Sequence, residues 1–369
     1  MTTPTNMKVT PFNALHKSLG AKMVEFGGFE MPVQYAGIME EHASVRNASG
    51  VFDVSHMGEF EVRGRDAVGF LQRVTVNDVS RLTEGKAQYS AMCNVDGGIV
   101  DDLLIYHFGD RYMLVVNASN IGKDFAWLKS NLKGDVELTD VSDTIALLAI
   151  QGPRSLEILQ HLTQVPLREI GYYTFKRGIV ARQEAIISRT GYTGELGFEL
   201  YFAVSPDAPG VWSAIFDAGK SYGLQPVGLG ARDTLRLEMG YCLYGNDIDD
   251  TTTPLQAGLG WITKLGKGEF IGKAVLDREK AAGIPRKLVG FVLPDRTIAR
   301  HGYAISDGTN GIGTVTSGTF SPTLQRSVGM GYVPPSVATP GATVHVVIRG
   351  KATPATVVPL PFVQRPGNG

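Results

Sequence analysis

The chain has 369 residues, 43% hydrophobic and 19% charged, with a formal net charge of -1. That length exceeds one ordinary core and implies two or three domains, and the balanced charge excludes the basic excess of a nucleic-acid binder while leaving room for a local basic groove. Cys93 and Cys242 fit no CxxC or His/Cys metal spacing and exclude a disulfide scaffold; the opening MTTPTNMKVTPF does not read as a signal peptide, and no apolar run reaches the ~18 residues of a membrane span, so a cytoplasmic protein is expected.

In chain order, residues 11–36 read as loop and strand around Gly27-Gly28 and Pro32. Residues 38–47 read as a helix, with Ile38, His42 and Val45 near one stripe and Gly50 as its stop; His42 is taken as structural. VFDVSHMGE leads into a strand at 60–62, and 66–73 reads as a short helix capped by Asp66. Strands at 88–94 and 99–108 flank the turn Val95-Asp96-Gly97-Gly98 and predict a hairpin. A strand at 112–117 and a helix at 121–132 complete an α+β unit with an antiparallel sheet. A second α+β unit follows: a strand at 144–151, a helix at 154–162, strands over 178–190 and 197–204, and helices at 209–222 and 228–240. Residues 241–280 are mixed, with a helix near 273–281; from Lys287 onward short strands and turns predict a small β-barrel or sandwich.

The second hairpin strand holds adjacent carboxylates, Asp101 and Asp102. Neighbours on a strand point to opposite faces, so if one face is buried, one carboxylate points inward, where it must be paired or used. The pair equally fits an exposed edge carrying protective charge. Strict alternation puts Ile99, Leu103 and Ile105 with Asp101, and Val100, Leu104 and Tyr106 with Asp102, which does not choose between them.

Nucleotide loops fail: LGKGEFIGK has Lys267 where a P-loop needs Gly, and Ala274 where it needs Ser or Thr. No GxGxxG follows a strand, no HExxH, GxSxG or EF-hand spacing is present, and seven scattered histidines predict no metal site. What remains is acid-and-arginine chemistry: Asp101/Asp102, Glu195/Glu199, Arg232/Arg236, and the aromatics Tyr89, Tyr192 and Tyr241. Glu199 alternates with Phe198, Leu200 and Phe202, so it faces either solvent or a ligand. A carboxylate can take two parallel hydrogen bonds from an amidine-like edge, and arginine suits an acidic tail, which together suggest a flat, nitrogen-rich ligand with an anionic end.

VFDVSHMGE, ALLAIQGP, SRTGYTGELGFEL, GLGARDTLRLEMGYCLYGNDID and TVTSGTFSPTLQRSVGMGYV occur in this order, and the chain resembles, over about residues 10–363, the T-protein family of the glycine cleavage system, the aminomethyltransferases. The resemblance implies an α+β, three-domain cloverleaf: an α+β domain from 1–50 plus 142–236, a second from 51–141 plus 237–284, and a barrel-like all-β domain from 285–369. It implies tetrahydrofolate as co-substrate near the middle, no metal, no flavin, and a lipoyl-bearing H protein as partner, with neither nucleic acid nor membrane. The aminomethyl group on that partner's dihydrolipoyl arm loses ammonia, and its carbon becomes a 5,10-methylene bridge on the folate. The family's catalytic aspartate matches Gly97-Gly98-Ile99-Val100-Asp101-Asp102-Leu103; the second, Asp102, is assigned, with Asp101 the fallback. The pterin-binding glutamate matches Glu199 and a ligand arginine Arg232; Tyr89, Asn117 and Tyr192 match cavity-lining positions, and Arg365 matches a C-terminal ligand arginine. Flavin-dependent demethylases carry this module behind a dinucleotide-binding half, which is missing here, and an iron-sulfur maintenance family carries KGCYxGQE where this chain has GYTGELGFE. The rival reading from another class is a non-catalytic folate-binding or regulatory protein on the same fold.

Overall fold

The structure, a computed structural model, describes residues 7–365. Two larger antiparallel-rich sheets, one closed barrel and a two-stranded sheet make up the β structure of the described residues. The first sheet has six strands in the order Phe175–Val180, Gln183–Ser188, Gly197–Ala203, Ile145–Gln151, Ser49–Asp53 and Leu224–Pro226. The second has five: Ala87–Cys93, Ile99–His107, Tyr112–Val116, Gly58–Arg63 and Glu137–Asp140. The six-stranded barrel runs from Lys287–Val292 to Lys351–Val358. Ser49–Asp53 spans the seam expected at residue 50 and belongs to the first sheet.

The apolar runs follow from double burial. In Ile145–Gln151, Ala146, Leu148 and Ile150 pack under the helices Ser155–Gln160 and Ala208–Gly219, while Leu147 and Ala149 face the other way, onto Tyr106, Met113 and Val115 of the second sheet. The second sheet likewise buries Leu103, Ile105 and Leu114 beneath the helices Ala67–Val74 and Ile121–Ser130. The two sheets therefore share an interior layer. They are stitched at one edge, where Ala87 N donates to Tyr173 O at 2.8 Å and Phe175 N to Gly85 O at 2.9 Å.

Several local readings change. Residues 11–36 contain a short helix, Asn13–Ser18, before the hairpin Lys22–Phe26 and Phe29–Gln34. The stretch 178–190 is two strands, because Ala181 and Arg182 turn the chain with φ of 47° and 70°; neither residue type signals such a turn. Asp66 does not cap its own helix: its carboxylate accepts from Asp135 N at 2.8 Å.

The hairpin bearing the two aspartates depends on its glycines. Gly97 has φ of 82°, and a Cβ on Gly98 would sit 1.8 Å from the carbonyl oxygen of Asp250. Gly98→Ala must push that loop away, so a loss of roughly 1–3 kcal/mol is expected, read as a lower midpoint in thermal unfolding; an unchanged midpoint would show that the loop yields freely.

Candidate active site between the two sheets

The hairpin contains a β-bulge. Met92 pairs with Asp101 but Cys93 pairs with Ile99, so Val100 is the extra residue. The bulge breaks the alternation expected from sequence: Val100 joins the core with Leu103 and Ile105, and Ile99 packs elsewhere, with Ala91 and Leu276. Beyond it alternation resumes, and it separates the two aspartates. Asp101 is fully buried on the helix side, and Asp102 lines a cavity. The strand lies inside the sheet, second from one edge, so the exposed-edge alternative fails.

The cavity, about 1040 Å³, opens where both sheets meet the barrel and the C-terminal tail. Asp102 and Tyr89 come from the second sheet, Glu199 and Tyr201 from the first, Val289 from the barrel and Leu360 from the tail. Asp102 accepts from the Tyr89 hydroxyl at 2.8 Å and from Asn117 Nδ2 at 2.9 Å. The same Asn117 amide donates to Asp101 at 2.8 Å. Burial first, and the neighbouring Asp101 second, raise Asp102 to about 7, although Tyr89 and Asn117 pull the other way. Trp261 is 62% exposed and packs on Tyr89 with ring centroids 6.0 Å apart, which marks the cavity mouth.

Glu199 lies across the cavity on Gly197–Ala203. Phe198, Leu200 and Phe202 fill the helix-side core, so Glu199 faces the interior between the sheets, and the solvent-face alternative falls. Its carboxylate accepts from the Thr190 hydroxyl, and Thr190 connects through Ser188 to the buried hydroxyls of Tyr106 and Tyr201. Burial raises the Glu199 pKa. Arg232, on the helix Leu229–Glu238, stacks its guanidinium 4.8 Å from the Tyr192 ring centroid, and burial lowers its pKa. The Tyr192 hydroxyl donates to the Cys242 carbonyl.

Six expected residues, Tyr89, Asp102, Asn117, Tyr192, Glu199 and Arg232, therefore line one cavity, and Tyr241 joins them. Arg365 does not reach that lining. It pairs with Glu195 at 2.5 Å and donates to Arg46 O at 3.2 Å, tying down the tail that carries Pro359 to Pro361 to the wall. Glu195 also pairs with Arg46, and Arg236 with Asp233 and Asp247, so these candidates serve the framework. His42 is likewise structural, bonded to Thr234 and Thr323 and 3.3 Å from Glu238. Lys267, the residue that spoils the P-loop, donates instead to the carbonyls of Gln72, Thr75 and Asn77 at the end of the helix Ala67–Val74. Sequence reasoning missed Thr190, Asn120, Asp124, Tyr172 and Trp261, since polar groups on a helix or turn read as solvated when their packing is unknown. Among the described residues no group of His, Cys, Asp and Glu could hold a metal ion, and no helix is long and apolar enough to cross a membrane.

Comparison with known proteins bears on this arrangement. Residues 12–267 match the GCVT N-terminal domain, and residues 286–364 match the glycine cleavage T-protein C-terminal barrel domain. The chain belongs to the glycine cleavage T-protein family. Aminomethyltransferases of Halothermothrix orenii and Phocaeicola vulgatus are 54% and 55% identical to it; the matches cover 97% and 96% of this chain, and 100% and 99% of those proteins. The crystal structure of glycine cleavage system aminomethyltransferase T from Bartonella henselae superposes with a TM-score of 0.91 at 36% identity, covering 97% of this chain and 98% of that one. This T-protein family member is an enzyme of the aminomethyltransferase type, and the non-catalytic alternative gives way.

The Asp102 environment has a consequence for stability. Its folded-state pKa of about 7 lies above its unfolded-state value near 4. Ionisation thus opposes folding: the contribution of the neutral form is complete below about pH 4 and is lost as pH rises through about 7. Asp102→Asn should raise the thermal midpoint at pH 8, with the gain shrinking toward pH 5. Equal gains at both pH values would contradict a buried, titrating Asp102.

Proposed function

We propose that this aminomethyltransferase transfers the one-carbon unit from an aminomethylated dihydrolipoyl arm of an H protein to tetrahydrofolate in the cytoplasm, releasing ammonia and forming 5,10-methylenetetrahydrofolate. The observation that carries the reading is the pair of carboxylates across one large, mostly apolar cavity: Glu199 backed by Thr190, and Asp102 with a pKa raised to about 7. A cavity of about 1040 Å³ is roomy enough for a drug-sized ligand with space beside it for a second reactant.

Glu199 would accept the paired N–H donors of the pterin edge. Arg232 would favour an anionic part of the ligands, and Tyr89, Asn117 and Tyr192 would shape the folate site. Arg365 would act at a distance, by holding the tail against the cavity. Asp102 would stabilise positive charge on the transferring carbon and hold a proton of the folate amines. A group with a pKa near working pH suits proton exchange, and its ionised form suits a developing cation. Aligning two bound reactants removes much of the entropic barrier, a contribution of up to roughly 7–11 kcal/mol in well-oriented systems.

Ammonia release from aminomethyl-loaded, reduced H protein tests the reading. Wild type should release ammonia strongly only with tetrahydrofolate present. Asp102→Asn should keep near-normal folding and folate affinity yet lose roughly 10²- to 10⁴-fold in rate; full activity would remove Asp102 from the chemistry. Glu199→Ala should instead weaken folate binding, measured by calorimetry, and an unchanged Kd would sink its assignment to the pterin edge.

A further inference from the structure

The helix Ile121–Ser130 lies directly behind the hairpin and places two ionisable side chains, Lys123 and Asp124, there. Lys123 donates to the bulge carbonyl of Val100 at 2.5 Å and to the Tyr244 hydroxyl at 2.9 Å, while Tyr244 donates to Ile99 O at 3.1 Å. These contacts occupy carbonyls at the bulge. Asp124, one residue on, stands one helical turn after Asn120, whose side-chain amide donates to Asp101 at 2.8 Å, so it shares the helix face turned toward Asp101.

The setting of Asp124 is unusual for an acid. Its side chain has no solvent exposure, and neither carboxyl oxygen receives a hydrogen bond from an N–H or O–H of the described residues. The Lys123 ammonium stands 3.9 Å from Oδ1, beyond hydrogen-bond distance. Asp101 is the opposite case. One oxygen takes the side-chain amides of Asn117 and Asn120, each at 2.8 Å, and the other takes Asn117 N at 3.1 Å. Two carboxyls buried on facing elements are stabilised by sharing a proton. The oxygens of Asp101 are already occupied as acceptors, so the proton belongs to the carboxyl that has no donors.

We propose that Asp124 is a positioning residue that stays protonated at neutral pH and donates its O–H to Asp101. Burial and contact with Asp101 raise its pKa well above the carboxylate range, in keeping with this. The inference rests on the reading of Asp102 as the reacting carboxylate and adds a regulator beneath it. The O–H from Asp124 keeps negative charge on Asp101, and that charge is what, after burial, lifts Asp102. Asp124 thereby tunes the cavity carboxylate through Asp101, without touching a reactant. The other titratable or charged groups facing the trio are Tyr89, Tyr192 and Cys242 around Asp102, whose pKa values are all raised by burial first, and Lys123 and Tyr244 around Asp101 and Asp124.

Two measurements on the full-length enzyme test this. The infrared difference spectrum of wild type minus Asp124→Asn at pH 8 should contain the carbonyl stretch of a protonated carboxylic acid; its absence overturns the proposal. The acid limb of the kcat–pH profile should keep its place in Asp124→Asn, whose amide can still donate, and should move down by about one pH unit in the near-isosteric Asp124→Leu. A limb unmoved in folded Asp124→Leu also overturns it. If Asp124→Leu does not fold, the infrared result decides alone. If Asp102→Asn retains the wild-type limb, the Asp102 assignment is at fault, and the infrared band still judges the proton on Asp124.

Discussion

Two sheets that press their inner faces together create an interior in which every polar side chain must find a partner. Much else in the molecule answers that constraint. Glu199 finds Thr190, Tyr106 and Tyr201 share hydroxyls with Ser188 and Thr190, and Asp101 collects three N–H donors. Asp102 is less fully partnered than Asp101: it has two donors and an open side toward the cavity. Where the framework leaves a carboxylate incompletely partnered and raised in pKa, chemistry becomes possible.

The bulge at Val100 decides which apolar residues accompany Asp101 on the helix side. One extra residue keeps Val100 in the helix-side core with Leu103 and Ile105, while regular alternation beyond it sends Asp101 and Asp102 to opposite faces. The hairpin turn is held just as closely, since Asn94 Oδ1 accepts from Asp96 N and Gly98 N, each at 3.0 Å.

The barrel is fastened to this core by buried charge rather than by apolar contact alone. Arg236 reaches Asp247 at 2.6 Å and Ser317 at 2.9 Å, so one guanidinium links a helix, a loop and a barrel strand. Against burial, which would raise it, His42, Ser321 and Arg46 pull Glu238 down to about 2. Such pairs add little net stability but are costly to break, which suits them to fixing how three units sit around a shared cavity.

Local sequence was enough for the elements themselves. Residues 38–47 form the expected helix, and the hairpin around Gly97-Gly98, the helix of Arg232 and the strand-rich C-terminal domain follow from periodicity and turn chemistry. Long motifs in fixed order carried the family and named six residues that the fold brings to one cavity. Tertiary structure decided the rest. Alternation alone could not say which aspartate faces the cavity, because that depends on what packs against each face of the sheet. FELYF could not say whether Glu199 meets water, since that depends on a second sheet built from residues much earlier in the chain. Nothing near Asp124 marks it as buried: an acid on a helix reads as solvated until the strand beneath it is in place. Backbone preference and apolar pattern act between near neighbours and are written in the chain. Burial and the proton positions it enforces arise between distant segments, so they exist only once the fold has closed.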